Sequence, residues 1–309
     1  MFDTVKLKLE SIHISETKLQ QLNASKVVTY YKKETGELID KYQFSTLDIP
    51  FIIYFTDSQR LLLQLSIPKF LFGENVTNIK PRDIDIFWEK LKTQMYELLG
   101  VEVEKEEWVI QRVDICWNFQ VGSKVSEYID HLGKKKLPRK NTICINQNET
   151  VMYKNKSNSI MFYDKQKECE KRKQNSEIIH KAKGILRLEI TPSMHDVKKY
   201  IVRRQAHQVL SVKFFKFIVE KTLRLISLNE ISDDKVKITQ EWLNGKKHAR
   251  VETVLGFQRI HQSIGVVRTK ELYGSTYYSR IKLIEEIGFP IDNTLPPLKI
   301  KWEELSVTE

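Results

Sequence analysis

Three short segments carry residue types that together could cut a phosphodiester. They are Arg112-Val113-Asp114-Ile115-Cys116, Met161-Phe162-Tyr163-Asp164-Lys165 and Leu186-Arg187-Leu188-Glu189-Ile190. Each sets polar groups at alternate positions of a strand-like run, and alternate residues of a strand share a face. Arg112 is then beside Asp114, Tyr163 beside Lys165, and Arg187 beside Glu189. Three such strands side by side would gather carboxylates, a phenol, a lysine and two arginines on one surface. That set suits metal-dependent attack of a tyrosine on a phosphodiester: carboxylates hold the ion, the phenol attacks, and cations offset phosphate charge. Hard ions such as Mg²⁺ or Mn²⁺ take oxygen ligands and bind phosphate with few carboxylates. Asp114 and Glu189 are the expected ligand pair, and Glu168 could add a third oxygen. The rival reading is two local Arg–carboxylate pairs.

Two tyrosines compete for the attack. Tyr163 ends an apolar run and has Lys165 two residues on, a cation that favours phenolate or stabilises developing charge. Tyr200 lies among Lys198, Lys199, Arg203 and Arg204, a good place to hold a phosphate backbone. The residues alone leave both open. Tyr277 and Tyr278 suit a core or a base-stacking role better. His195 follows Glu189 closely, but a turn histidine is the simpler reading. No two of the seven histidines are separated by one residue, so no His-x-His metal pair exists, and no Walker loop or HExxH occurs.

Composition narrows the partner. The 309 residues carry 51 Lys and Arg against 40 Asp and Glu, a formal charge of +11, with 41% hydrophobic residues. The apolar share is enough for a packed core, and the basic balance points to a polyanion. Nucleic acid comes before membrane because no apolar run reaches the length of a span. Basic tracts at 134–140, 171–183, 198–204 and 245–250 could neutralise phosphates without choosing sequence. Three cysteines, no CxxC and no signal-peptide pattern fit a reducing cytoplasm.

The elements that must position these residues are legible in outline. Alternation predicts strands at Val5–Leu9, Val27–Tyr31, Phe51–Phe55, Leu61–Ile67, Trp108–Phe119, Thr142–Ile145, Thr150–Tyr153, Ile160–Tyr163 and Leu186–Thr191. Helical spacing, with Pro81 at the start and Gly100 at the end, predicts a helix over Pro81–Leu99. A short helix is expected over Ser126–Leu132 and another opening the charged stretch from Lys165. Pro68–Asn75 reads as a turn with apolar anchors. Helical spacing runs over Val197–Leu228, and shorter helices with Gly-containing turns follow at Glu241–Leu255, Phe257–Ile264, Thr269–Tyr273 and Thr276–Ile287. No internal repeat is visible. The expected fold is α+β: an antiparallel sheet with helices on one face, over residues 1–228, then a helical C-terminal region, 229–309.

Several segments in order resemble the phage and plasmid replication initiators typified by the filamentous-phage gene II/X protein. They are Ser66-Ile67-Pro68-Lys69-Phe70-Leu71-Phe72-Gly73-Glu74-Asn75, Gln111–Ile115, Val151-Met152-Tyr153 with Phe162–Lys165 and Glu168, Leu186–Glu189, and the Tyr-rich stretch from Tyr273 to Gly288. The resemblance implies a rolling-circle initiator that nicks one strand of origin DNA, single-stranded or locally melted, and stays joined to the 5′ phosphate. It implies Tyr163 rather than Tyr200 as nucleophile, Lys165 as its neighbouring cation, and Asp114 and Glu189 as metal ligands. Arg112 and Arg187 would position phosphate or brace the carboxylates. A host helicase and polymerase would be partners, in the cytoplasm of a bacterial host, and oligomeric state stays open. The alternative is a non-catalytic origin- or operator-binding protein; a third reading is a single-stranded RNA-binding module.

Overall fold

Residues 1–22, 24, 26–146, 149–226, 240–287, 295, 298, 300 and 302–305 are described by a computed structural model. Alternating sequence builds ten strands among the described residues. They are β1 (Phe2–Leu9), β2 (Lys26–Tyr31), β3 (Leu38–Phe44), β4 (Phe51–Phe55), β5 (Arg60–Ser66), β6 (Val109–Gln120), β7 (Asn141–Ile145), β8 (Thr150–Lys154), β9 (Ser159–Asp164) and β10 (Ile185–Thr191). All pair antiparallel in one sheet of order β2-β3-β4-β5-β1-β6-β10-β9-β8-β7. The helices are α1 (Glu16–Gln21), α2 (Ile67–Phe72), α3 (Pro81–Leu99), α4 (Val125–Gly133), α5 (Lys165–Lys171), α6 (Ser176–Lys181), α7 (Met194–Tyr200), α8 (Ala206–Val209), α9 (Val212–Ile226), α10 (Gln240–Leu243), α11 (His248–Tyr273) and α12 (Thr276–Ile287). The fold is α+β.

The strand order holds a repeat that the residues hide. From the centre outward one half runs β1, β5, β4, β3, β2, and the other runs β6, β10, β9, β8, β7. Each half has a helix after its first strand, and the second half adds α5 and α6 before its last. The halves join through β1 and β6.

Register sorts the side chains. Val5, Leu63, Ile52, Val113, Ile115, Trp117, Leu188 and Phe162 share one face and are buried. Helices cover it: Phe215 of α9 meets Phe2 at 6.2 Å and Trp117 at 5.8 Å between ring centroids. Burying each such large side chain contributes about 2–3 kcal/mol. The other face holds the polar residues. One end of it is roofed by α5, α6 and the segment after α2, through a cluster of Val76, Cys169, Ala182 and Ile185.

Two β-bulges matter for that face. Phe2 pairs with Ile115 but Val5 pairs with Val113, so β1 carries an extra residue at Asp3-Thr4. A bulge re-aims side chains, and here it turns Asp3 toward the polar face. A second slip follows Lys6, which pairs with Arg112.

Helix punctuation explains where expectation and structure part. Pro68 does close the preceding strand, yet it also sits in the first turn of α2, and Gly73 caps that helix at φ 73°. The expected turn at Pro68–Asn75 is therefore a helix and its cap. Helical spacing over Val197–Leu228 resolves into α7, α8 and α9, with residues 227 and 228 outside those described. Three expected short helices are largely merged in α11, which passes through Gly256 and Gly265. An interior glycine costs a helix only about 1 kcal/mol. The helix α1 and the strand β3 were not expected.

Contacts divide the chain into Met1–Asn229 with Leu298–Glu309, and Glu230–Pro297. The boundary expected at Leu228 lies outside the described residues, as does Gly288. The first unit contains the sheet, and Trp302 packs edge-on against Phe215 within it. The second is helical, with Phe257, Tyr273 and Tyr277 in ring contact. No described helix is long and apolar enough to cross a membrane.

Candidate functional site

Strands β6, β10 and β9 lie side by side, so the three polar segments meet on one face. Arg187 stands opposite Tyr163 on β9 and Asn118 on β6; Glu189 stands opposite Met161 and Cys116. The Tyr163 hydroxyl donates to Glu189 Oε2 at 3.3 Å. Lys165 opens α5 rather than extending β9, yet its Nζ comes 5.9 Å from the Tyr163 ring centroid. The helix start directs it inward, where it donates to Asn75 Oδ1 (2.9 Å) and Glu168 Oε2 (2.8 Å) and is fully buried. Arg172 also pairs with Glu168.

The arginines have different partners. Arg112 grips Asp114 with both arms of its fork, Nε to Oδ1 at 3.0 Å and an NH2 to Oδ2 at 2.9 Å. Thr191 donates a further hydrogen bond to Oδ1 at 2.7 Å. Arg187 does not pair with Glu189. It is fully buried and binds Asp3 Oδ2 at 2.6 Å, the Asn75 carbonyl at 2.6 Å and Asn118 Oδ1 at 3.3 Å. Asp3, placed by the bulge, also accepts from Ser66 at 2.7 Å.

Crowded acids set the electrostatics. Burial pushes Glu189 up to about 7, and the charges of Asp3 and Asp114 add to the rise against the pull of Arg187 and the Tyr163 hydroxyl. Burial also raises Asp114, opposed by its bonds from Arg112 and Thr191. The Tyr163 phenol is held well above its usual range, again by burial first, with Arg187 pulling the other way. Removal of the Tyr163 proton would need an acceptor in contact, and the carboxylate in hydrogen-bond contact with it is Glu189.

Tyr163, Glu189, Glu168 and Glu149 line a cleft of about 350 Å³, with Lys167, Lys171 and Arg172 around it. Lys167 and Lys171 pair with Glu149, and Arg172 pairs with Glu168, so a phosphate entering the cleft would compete with these carboxylates for the cations. Glu189 could offer a divalent ion one oxygen: the carboxylate lines the cleft, is crowded by like charge and has its other contact on the phenol. Asp114 does not suit one as placed, because both its oxygens are already bonded. Glu168 is held by Lys165 and Arg172. Among the described residues no group of three His, Cys, Asp or Glu side chains stands ready to hold an ion.

Other candidates sit elsewhere. Tyr200 packs on Phe214 at 5.1 Å and Phe217 at 5.3 Å, both on α9, so it belongs with the helices over the apolar face. His195 is in the first turn of α7. Tyr277 is buried, and Tyr278 is exposed in the helical unit. Sequence reasoning missed Asp3, Asn75 and Thr191. The alternation Val5, Leu7, Leu9 gives no sign of the bulge, and nothing local in Glu74-Asn75 points to Arg187.

No curated protein matches the chain. Residues 1–213 match the family described as the N-terminal part of the phage replication-associated protein of gene II. That span covers β1 to β10 and every residue of the polar cluster. The chain therefore belongs to this family of phage replication-associated proteins.

Proposed function

We propose that this chain starts rolling-circle replication by nicking and rejoining one strand of origin DNA through Tyr163. The observation that supports it most is the Tyr163 hydroxyl set on Glu189, at the wall of a cleft that Lys167, Lys171 and Arg172 also line. In the nicking step the phenolic oxygen attacks phosphorus as its proton passes to Glu189. An O–P bond forms to Tyr163, the bond to the 3′ oxygen breaks, and that oxygen leaves as a 3′ hydroxyl after taking a proton. Rejoining runs the same steps backward, with the proton returned to the phenol. Mg²⁺ or Mn²⁺ at Glu189 would supply charge to offset the phosphate.

The remaining residues have supporting roles. Arg112 is half-exposed and can face a backbone phosphate beside Asp114. Arg187 and Lys165 are buried and position others: Arg187 holds Asp3 and the Asn75 segment, and Lys165 holds Glu168 near the phenol. A locally melted origin would let the strand reach the sheet. The freed 3′ hydroxyl would prime a host polymerase in the bacterial cytoplasm, with a host helicase opening the duplex.

The test is incubation with supercoiled DNA of its own genetic element and Mg²⁺ or Mn²⁺, then denaturing analysis for a covalent adduct. Wild type and Tyr200→Phe should form it, and Tyr163→Phe should lose it while keeping DNA binding. Absence of any adduct with tight binding intact would favour the non-catalytic origin-binding alternative. The engaged oxygens of Asp114 are the observation that favours this alternative.

A further inference from the structure

The half of the sheet that carries no candidate catalytic tyrosine has its own exposed chemistry. On its polar face Phe51 and Phe55 of β4 are half-buried, with cations laid against their rings. Lys6 Nζ is 5.5 Å from the Phe51 centroid, Lys41 Nζ 5.4 Å from Phe55, and the Arg60 guanidinium 4.4 Å from Phe55. These side chains come from β1, β3 and β5, one on either side of β4 and one beyond. From β2 to β5, the strand positions on this face include no aspartate or glutamate. On β1, Lys8 is paired with Glu10, and Asp3 is bonded to Arg187.

An apolar protein partner would leave these cations without matching charge. A duplex would offer phosphates but no base faces to flat rings on a sheet. Single-stranded DNA offers both, because every base has a π face and every link a phosphate. Phe51 and Lys6 both pair with Gln64, and Lys6 pairs with Arg112, whereas the row of Tyr163 crosses β6 at Asn118, six residues further along that strand. Five strand steps separate β4 from β9, about 24 Å at the usual spacing.

We propose that this face is a single-stranded DNA platform, with bases stacked on Phe51 and Phe55 and phosphates held by Lys6, Lys41 and Arg60. It would hold the strand that runs on past Arg112 to the cleft. This site adds to the nicking reading for its purpose, but its binding stands without that chemistry.

The experiment is fluorescence anisotropy of a labelled 20-nucleotide oligothymidine with the full chain at several salt concentrations. Wild type should bind, with affinity falling as salt rises. Phe51→Leu with Phe55→Leu keeps apolar bulk but removes both ring faces. Loss of one stacked base is worth roughly 5- to 150-fold in affinity, so the double variant should weaken at least tenfold. Thermal melting reports whether it stays folded. Cross-linking of wild type to 5-iodouracil in the same oligomer, with peptide mapping, tests the site even if the variant does not fold. Cross-links in the Phe51–Phe55 strand support the platform. Undiminished affinity of the folded double variant, or cross-links confined to other strands, overturns it. Equal or tighter binding of oligouridine overturns the assignment to DNA. A missing tyrosine adduct with this pattern intact would count against the nicking reading alone.

Discussion

Glu189→Gln separates what the acid costs the fold from what it does in the reaction. The Glu189 carboxyl is raised from 4.5 to about 7, by burial and then by Asp3 and Asp114. Below pH 4.5 it is protonated in folded and unfolded chains alike, and no cost arises. As pH rises from 4.5 to 7 the unfolded chain ionises while the folded one resists, so stability falls. Above 7 the loss is complete, at about 3 kcal/mol. Glutamine stays neutral at every pH and keeps an oxygen for the Tyr163 hydroxyl. The stability of Glu189→Gln minus that of wild type should therefore grow by about 3 kcal/mol between pH 4 and pH 8. Urea unfolding of both proteins in EDTA measures it, as a relative midpoint gain of about 1 M or more. Other acids titrate in both proteins and largely cancel. The same variant should form the DNA adduct about 10²–10⁴-fold more slowly at pH 8, because the proton acceptor is gone. With an ion favouring the ionised Glu189, wild-type adduct formation should rise with pH at values below about 7. A stability difference that stays flat with pH, or adduct formation within threefold of wild type, would refute this account of Glu189.

Three further outcomes follow from the same cluster and its supports. Arg187→Met leaves Asp3 buried without its guanidinium, which should cost about 3–5 kcal/mol; a drop in thermal midpoint under 3 °C would show that Asp3 does not depend on it. Mg²⁺ held at Glu189 should raise the thermal midpoint more at pH 8 than at pH 5, since it favours the ionised carboxylate; an equal effect at both pH values would place the ion elsewhere. Gly184 has φ +72°, and a Cβ there would lie 2.8 Å from Gly122 Cα, whereas Gly100 at φ +68° has open space. Urea unfolding should show Gly184→Ala losing about 2–3 kcal/mol and Gly100→Ala about 1; equal losses would mean the Gly122 contact relaxes freely.

What the sequence made legible was local. Alternation located Arg112 with Asp114 and Arg187 with Glu189, and the three strands are neighbours as expected. Pro81 and Gly100 marked the ends of α3. What it hid depends on distant pairing. The partner of Arg187 is Asp3, 184 residues away, and it arrives through a bulge that no run of apolar residues announces. Asn75 meets Lys165 across 90 residues. The duplicated strand order is a property of connections, and the two halves share it without sharing residues. Glu189 next to the phenol emerges only once β9 and β10 are in register, because neither strand alone shows how close the two side chains come.

The pair Asp3–Arg187 also sets a clock. A ribosome makes Asp3 184 positions before its partner. At about 5–20 residues per second that interval is roughly 10–40 s. Through its last part Tyr163 has been made, but the strand carrying Glu189 and Arg187 has not. A chain that stops between Tyr163 and β10 thus holds the phenol without Glu189 beside it and without the Asp3–Arg187 pair. On the nicking reading, competence to cut arrives late in synthesis, with β10, which would protect the template element from incomplete copies of its own initiator.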